Sequence, residues 1–300
     1  MKCCLILPHE QWWGAAFSAE ALTEVCRAAE AAGFDACAAT DHPFPNVAEI
    51  RGAHHAFDLL TLLTYVASVT TTIKLHTHVL VAPFRNPYLT ANAVATLSEL
   101  AGDRVILGVG PGYLPSEFVA MGADFGQRGN VTEAWIRAFD AAWRNQAGFS
   151  GLPSFPAQGN TLRSGGVRAP RPPIWVGGNS RAAVERAVRV GDGWCPFRDA
   201  ARSPGLGTAH IDSLAALARR IRLLRAELEA AGRTAPFDVC LSDPGPWAAG
   251  DQRAVLEHLG ELATVGVTWT AFHLEGQAGD VGRFVERIHA FGPVLKELRC

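Results

Sequence analysis

The chain has 300 residues, of which 48% are hydrophobic and 19% are charged, and its formal net charge is −2. This balance is typical of a globular protein and excludes a disordered chain, a collagen-like fibre and a disulfide-rich scaffold. Because the sequence has no basic stripe and no apolar run of about 18 residues, neither nucleic acid nor a membrane is expected as a partner. Seven scattered cysteines without a Cys-x-x-Cys spacing indicate reduced thiols, as in a cytoplasmic protein.

Short β-rich runs alternate with longer amphipathic runs along the chain. The predicted strands are residues 2–8, 34–40, 73–81, 104–108, 174–176, 193–197, 237–241 and 267–274. The first two predicted helices are one that Ser18 caps and Gly33 ends, and one that Asp58 caps and that runs to Val69. The later helices are residues 86–100, 131–147, 181–190, 211–230, 253–264 and 281–298. Eight strand–helix pairs predict one α/β domain over residues 1–300, a (β/α)8 TIM barrel, since an open doubly wound sheet typically uses about five or six units.

Two segments interrupt this alternation. Residues 110–129 are predicted as a loop. Residues 148–173 are rich in Gly, Pro and Ser and lack periodicity, and they are too long for an ordinary connection. We therefore expect a lid-like insertion after the fourth helix, at about residues 148–173.

Histidines gather where the predicted strands end, which is where TIM barrels carry their chemistry. Five of the ten histidines belong to this set: His9, His42, His76, His78 and His273. Any one of them is most simply a packed or hydrogen-bonded residue, but their clustering indicates a site.

Two glycine-containing turns follow strands. Gly177, Gly178, Asn179 and Ser180 lie between a strand and a helix, so they suit either a phosphate site at the helix N-terminus or an ordinary capped turn. Gly108, Gly110 and Gly112 follow the fourth strand, but Tyr113 stands where a dinucleotide fingerprint needs its third glycine. They suit a tight turn or a backbone that lies close to a flat or phosphorylated cofactor.

The pair His76 and His78 places two imidazoles on one face of a strand, as in some metal-dependent barrel hydrolases. His9 and His273 could complete such a site, but Asp41 is the one acidic residue at a matching strand end. A metal-dependent hydrolase is therefore the alternative from another class, and the leading interpretation needs no metal.

An ordered set of motifs decides between these interpretations. In chain order they are residues 34–35, 40–42, 79–87, 97–104, 107–113, 117–118 and 173–180. Together they make the chain resemble the bacterial-luciferase-like flavin and deazaflavin oxidoreductases, most of all the branch that depends on coenzyme F420. The resemblance is dense over residues 1–195 and rests on the barrel pattern beyond them.

The resemblance implies a barrel that holds coenzyme F420, or alternatively FMN, at its mouth. The cofactor ring would lie over strand three, where the family has a non-prolyl cis peptide bond that matches His78–Val79, and the two glycine turns would hold the phosphate. The implied cofactor-binding residues are Asp41, His78, Val79, Gly110, Gly112, Tyr113, Gly177, Gly178, Asn179 and Ser180.

Two residues are implied to be catalytic. His42 matches a proposed base of the family's sugar-phosphate dehydrogenases, and Tyr113 stands where those enzymes have a glutamate as the proposed acid. With F420 the reaction would be hydride transfer to or from a small organic substrate, and with FMN it would be insertion of one oxygen atom from O2. A non-catalytic flavin-binding barrel is a third interpretation. The family often forms dimers, so a homodimer is the state that the resemblance suggests.

Overall fold

The fold is a closed barrel of parallel strands inside a layer of helices. The computed structural model describes residues 1–46, 54–144, 150–163, 167–198, 209–247, 251–274 and 278–299. The barrel strands are β1 (Lys2–Ile6), β2 (Ala36–Ala39), β3 (Lys74–Val81), β4 (Val105–Gly110), β7 (Ile174–Gly177), β8 (Gly193–Cys195), β9 (Asp238–Ser242) and β10 (Trp269–Phe272). They close in the order β1-β10-β9-β8-β7-β4-β3-β2, and every pair is parallel. The TIM barrel is therefore confirmed.

The helices surround this barrel, and their ends follow capping chemistry. They are α1 (Glu10–Trp13), α2 (Ala19–Ala32), α3 (Leu59–Val69), α4 (Pro87–Ala101), α5 (Pro115–Ala120), α6 (Arg128–Trp143), α7 (Arg181–Val190), α8 (Leu214–Ala230), α9 (Gln252–Val265) and α10 (Val281–Glu297). Ser18 accepts a hydrogen bond from the Ala21 N–H, and Gly33 ends α2 in the left-handed conformation with φ 96°. Asp58 caps α3 through the Thr61 N–H. Within the described residues, each helix is too short or too polar to cross a membrane.

The structure corrects the prediction for residues 104–147. Strand β4 continues to Gly110, which pairs with Val81 of β3. The predicted loop contains helix α5, which begins at Pro115 because proline is favoured in a first helical turn. Helix α6 then begins at Arg128, three residues before the prediction, and ends at Trp143.

The predicted insertion contains a short antiparallel hairpin, β5 (Gly151–Leu152) and β6 (Phe155–Pro156). The Tyr88 hydroxyl of α4 donates to the Phe155 carbonyl. Further along, Arg163 pairs with Glu99 of α4 at 2.7 Å. These contacts attach the described part of the insertion to an outer helix, and a lid role over the strand ends stays a prediction.

Large and small side chains fill the barrel interior together. The Trp175 and Trp269 rings lie 5.2 Å apart, edge to face. The alanines and cysteines beside them leave the volume that these indoles need. The interior residues are Cys4, Ile6, Ala36, Ala38, Ile106, Trp175, Cys195, Cys240, Trp269 and Ala271, with Val79 packed against them.

Candidate functional site

Strand β3 is irregular where the resemblance implies the cofactor ring. The His78–Val79 peptide bond is cis, as expected from the resemblance. The register between β3 and β4 shifts between Thr77 and Leu80, so this stretch forms a bulge at the C-terminal end of the strand. The bulge directs Val79 toward the neighbouring strands.

Glycines on β4 and β7 make room for this bulge. A Cβ added to Gly110 would lie 2.6 Å from Val79 Cγ2, and one added to Gly177 would lie 3.1 Å from the same atom. A Cβ at Gly108 would lie 2.1 Å from the Thr77 carbonyl oxygen. Space for the bulge therefore requires these glycines, a reason that spacing along the sequence could not reveal.

Gly112 is needed for a different reason. Its φ of 75° lies in the left-handed region, and an added Cβ would lie 2.8 Å from both Phe118 and Val81 side-chain atoms. Gly112 thus turns the chain from β4 toward α5 and brings Tyr113 over the barrel.

Asp41 holds the C-terminal end of β3 in place through a hydrogen bond to its backbone. Its carboxylate is buried and accepts hydrogen bonds from the Val81 N–H at 2.7 Å and from both terminal nitrogens of Arg85, at 2.6 and 2.9 Å. Both of its oxygens are therefore bonded within the protein. This gives Asp41 a positioning role, and a direct contact between its carboxylate and a cofactor stays a prediction.

Tyr113, His42 and Glu117 form a hydrogen-bonded chain at the mouth, the rim made by the C-terminal ends of the barrel strands. The Tyr113 hydroxyl lies 2.9 Å from His42 Nε2, and His42 Nδ1 lies 3.1 Å from Glu117 Oε2. His42 and Glu117 are 7% and 2% exposed, so these two side chains are shielded from water, whereas Tyr113 is partly exposed. The resemblance implies His42 and Tyr113 as catalytic residues, either of which could handle the proton, and the structure brings their side chains together.

The chain has a defined direction. The other Glu117 oxygen, Oε1, accepts the Phe44 N–H at 3.0 Å, which fixes the carboxylate. A carboxylate can only accept, so His42 donates through Nδ1, and in the neutral imidazole Nε2 is then the acceptor for the Tyr113 O–H. No role was predicted for Glu117 from the sequence. Its position four residues after Tyr113, in the first turn of α5, was the available signal.

A second group of imidazoles, the histidine cluster, lies beside this chain and consists of His9, His42, His54 and His273. His9 and His54 stack with ring centroids 3.8 Å apart, and His273 lies edge-on to His9 at 4.6 Å. His42 meets His54 edge to face at 4.5 Å. His54 was not predicted as a site residue, because it follows no predicted strand and has no periodic neighbours.

Burial makes two members of the cluster neutral. Desolvation, helped by the neighbouring imidazoles, lowers the pKa of His9 to about 3 and that of His54 to about 2. Their Nε2 atoms are buried, and neither has a hydrogen-bond partner among the described residues. Such atoms can bind a polar group of a ligand without contributing a positive charge.

The polar side chains of the turn between β7 and α7 form hydrogen bonds to backbone groups of the protein. Asn179 donates to the Phe197 carbonyl at 2.8 Å and accepts the Phe197 N–H at 2.9 Å. Ser180 accepts the Ala183 N–H and so caps α7. Gly178 has a φ of 118°, which a residue with a side chain rarely adopts. An anion here would meet the helix N-terminus, with Asn179 and Ser180 shaping the turn.

The ligand set of the hydrolase alternative does not assemble. Among the described residues, His76 and His78 form a group of possible metal ligands with Cys240. One ligand atom from each of these residues lies within 4.8 Å of the other two. His9 and His273 are not part of that group.

The sequence matches the model of the luciferase-like monooxygenase family over residues 1–279. The chain belongs to this family. The enzymes of this family depend on F420 or on FMN, so the protein is an oxidoreductase of this class.

Two relatives represent the two cofactors. An F420-dependent glucose-6-phosphate dehydrogenase of Mycobacterium avium is 34% identical over 188 residues, which are 59% of this chain and 53% of the relative. An FMNH2-dependent dimethylsulfone monooxygenase of Pseudomonas putida is 31% identical over 145 residues, 47% of this chain and 39% of the relative. Among solved structures, an F420-dependent secondary alcohol dehydrogenase superposes with a TM-score of 0.78 at 14% identity, covering 100% of this chain and 99% of the other. At that identity the likeness concerns the fold.

Proposed function

We propose that this protein transfers a hydride between coenzyme F420 and a small organic carbonyl or alcohol at the barrel mouth. The observation that carries the proposal is the hydrogen-bonded chain of Tyr113, His42 and Glu117. Each hydride that reduces a carbonyl must be matched by one proton on its oxygen, and this chain can deliver it. The F420-dependent relative supports the choice of cofactor.

The residues at the mouth fit a polar ring with an anionic tail. His78 Nδ1 is buried and has no hydrogen-bond partner among the described residues, so a polar edge of a ligand could bind it. The cofactor would be held by His78, Val79, Gly110, Gly112, Gly177 and Gly178, with its phosphate at the N-terminus of α7. When bound, coenzyme F420 supplies the hydride donor or acceptor.

The protein's own residues handle the proton. For carbonyl reduction, the Tyr113 hydroxyl would turn its proton from His42 Nε2 to the substrate oxygen and become a phenolate. After product release, a proton taken up from solvent at His42 Nε2 would pass to the phenolate and restore Tyr113. Glu117 keeps the imidazole in the tautomer that accepts from Tyr113. In balance, one carbonyl, one hydride and one proton give one alcohol, and the reverse reaction returns the proton to Tyr113.

The substrate is proposed to be uncharged. His9 and His54 are neutral because burial lowers the pKa of each, so they favour hydroxyl and carbonyl groups over phosphate. Arg85, the cation nearest to Asp41, is already paired with that carboxylate. Tyr113 in place of the glutamate that the resemblance implies also separates this protein from sugar-phosphate oxidation.

The test is turnover with and without oxygen. Reduced F420 is mixed anaerobically with a panel of small ketones and aldehydes, and its oxidation is followed by absorbance. We expect oxidation with at least one uncharged carbonyl, and a loss of about 10²-fold in Tyr113→Phe. The proposal is refuted if no carbonyl of the panel oxidises reduced F420 and none of the corresponding alcohols reduces oxidised F420.

FMN-dependent monooxygenation is the second candidate, and the dimethylsulfone monooxygenase relative favours it. An oxygen electrode separates the two. Substrate-dependent O2 consumption with reduced FMN, together with no reaction of F420, would replace the F420 proposal by this one.

A further inference from the structure

We propose that the barrel interior binds one thiophilic metal ion, of the Zn²⁺ class, between His76, His78 and Cys240. One ligand atom from each of these residues lies within 4.8 Å of the other two. Two come from β3 and one from β9, so strands on opposite sides of the interior present them. The proposal uses none of the residues of the hydrogen-bonded chain of Tyr113, His42 and Glu117, but it shares His78 with the proposed cofactor site, so a metal-bound His78 nitrogen would not be available to the cofactor.

Unpartnered nitrogens point to a ligand at this place. His76 is 1% exposed, yet its Nε2 has no hydrogen-bond partner among the described residues, and neither has His78 Nδ1. The other His76 nitrogen, Nδ1, faces the Cys4 thiol at 3.9 Å, which is a long contact. Buried polar nitrogens are normally bonded, so a bound ion would explain a pair left without partners.

Two further thiols lie in the same interior. Cys4 and Cys195 pack in the interior cluster with Cys240, but their sulfur atoms are outside the group of three ligand atoms. Two imidazoles and the Cys240 thiolate would therefore provide three of the four ligands of a tetrahedral zinc ion.

The ligand types select the class of ion. Imidazole and thiolate favour Zn²⁺ and Cu⁺, whereas Mg²⁺ and Ca²⁺ require oxygen ligands, and the group contains none. Zn–N and Zn–S bonds of about 2.0 and 2.3 Å place tetrahedral ligand atoms about 3.3–3.6 Å apart, so ion binding would draw these atoms together by up to about 1.5 Å. Cys240 is fully buried and His78 only partly, so the ion would enter from the mouth past His78.

The site would be structural and not hydrolytic. A hydrolytic zinc keeps an open position for water and substrate. Here His76 and Cys240 are enclosed by the indoles of Trp175 and Trp269 and by the barrel wall. The ion would tie β3 to β9 beneath the bulge.

The experiment measures metal binding by the purified 300-residue chain in the absence of F420 and FMN. Protein stripped with a chelator is titrated with Zn²⁺, and separately with Co²⁺, whose bond to a thiolate gives a charge-transfer band in the near ultraviolet. We expect one equivalent of Zn²⁺ after dialysis and a Co²⁺ band of matching stoichiometry. Cys240→Ser should lose the band and bind Zn²⁺ at least 100-fold more weakly.

Cys3→Ser is the matched control, because Cys3 is also fully buried but belongs to the core outside the barrel. It should keep both the stoichiometry and the band. No stoichiometric Zn²⁺, no band with the wild type, or equal losses in the two variants would overturn the proposal. The wild-type band is decisive even if Cys240→Ser does not fold. Cofactor titrations are separate, so failure of the metal site leaves the hydride-transfer proposal untouched.

Discussion

Replacing Gly110 by alanine tests why β4 carries glycine beside the bulge of β3. The added Cβ would lie 2.6 Å from Val79 Cγ2, about 1 Å inside the ordinary carbon–carbon contact of about 3.5–4.0 Å. The backbone of Gly110 is not in the left-handed region, so the space alone opposes the substitution. We expect Gly110→Ala to lower the free energy of unfolding by about 1–3 kcal/mol.

The double variant identifies the cause. Val79→Ala removes both Cγ atoms and therefore the close contact with the added methyl group. In a double-mutant cycle, the cost of Gly110→Ala should fall by at least about 1 kcal/mol when Val79 is already alanine. Urea denaturation followed by circular dichroism measures all four corners of the cycle.

Gly260→Ala is the control for the glycine change itself. Gly260 lies inside α9, and an added Cβ there would have no heavy atom within 4 Å, so alanine should be neutral or stabilise by up to about 1 kcal/mol. If Gly110→Ala is as stable as the wild type, or if Val79→Ala fails to reduce its cost, the spatial explanation for the glycines is wrong.

Three further predictions concern the mouth. In Glu117→Gln the amide oxygen must keep accepting the Phe44 N–H, so the amide NH2 group faces His42 Nδ1. The imidazole should then change tautomer, and long-range ¹H–¹⁵N spectra should show the proton on Nε2. Asp41→Asn leaves the guanidinium that it pairs with only partly bonded, and chemical denaturation should show a loss of about 3–5 kcal/mol. Below pH ~6.5 the unfolded chain binds a proton on His9 and on His54, whereas the folded protein keeps them neutral because their pKa values are about 3 and about 2. The free energy of unfolding should therefore decrease as the pH is lowered from ~6.5, by up to about 1.4 kcal/mol per pH unit for each histidine.

Each of these has a contrary outcome. An unchanged His42 tautomer in Glu117→Gln would mean that the carboxylate does not set the direction of the chain. Asp41→Asn with wild-type stability would remove its positioning role. For the pH series, a double variant with glutamine at positions 9 and 54 is the control, and an equal slope in that variant would show that other groups cause the acid sensitivity.

The barrel could be predicted because its signals are local. Alternating strand and helix patterns, Ser18 and Asp58 as caps and Gly33 as a stop are all short-range features, and the structure has them. Helix α5 was missed because six residues carry too little periodicity to stand out from a loop.

The site was only partly predictable because its contacts join distant segments. His42 and Tyr113 came from the resemblance, but Glu117 gains its role only when α5 places it 3.1 Å from His42, 75 residues earlier in the chain. His54 likewise becomes recognisable as a site residue only through its stacking on His9. The glycines of β4 and β7 signalled a close approach, and the structure identifies Val79 as the neighbour that approaches them.

Titration of the purified protein with coenzyme F420 and with FMN, each followed by cofactor fluorescence, measures whether the barrel mouth holds a redox cofactor. We expect saturable binding of F420 at one site per chain, weaker binding of FMN, and loss of F420 affinity when Gly178→Val blocks the turn before α7. If neither compound binds at any concentration that leaves the protein folded, the barrel mouth does not hold a redox cofactor.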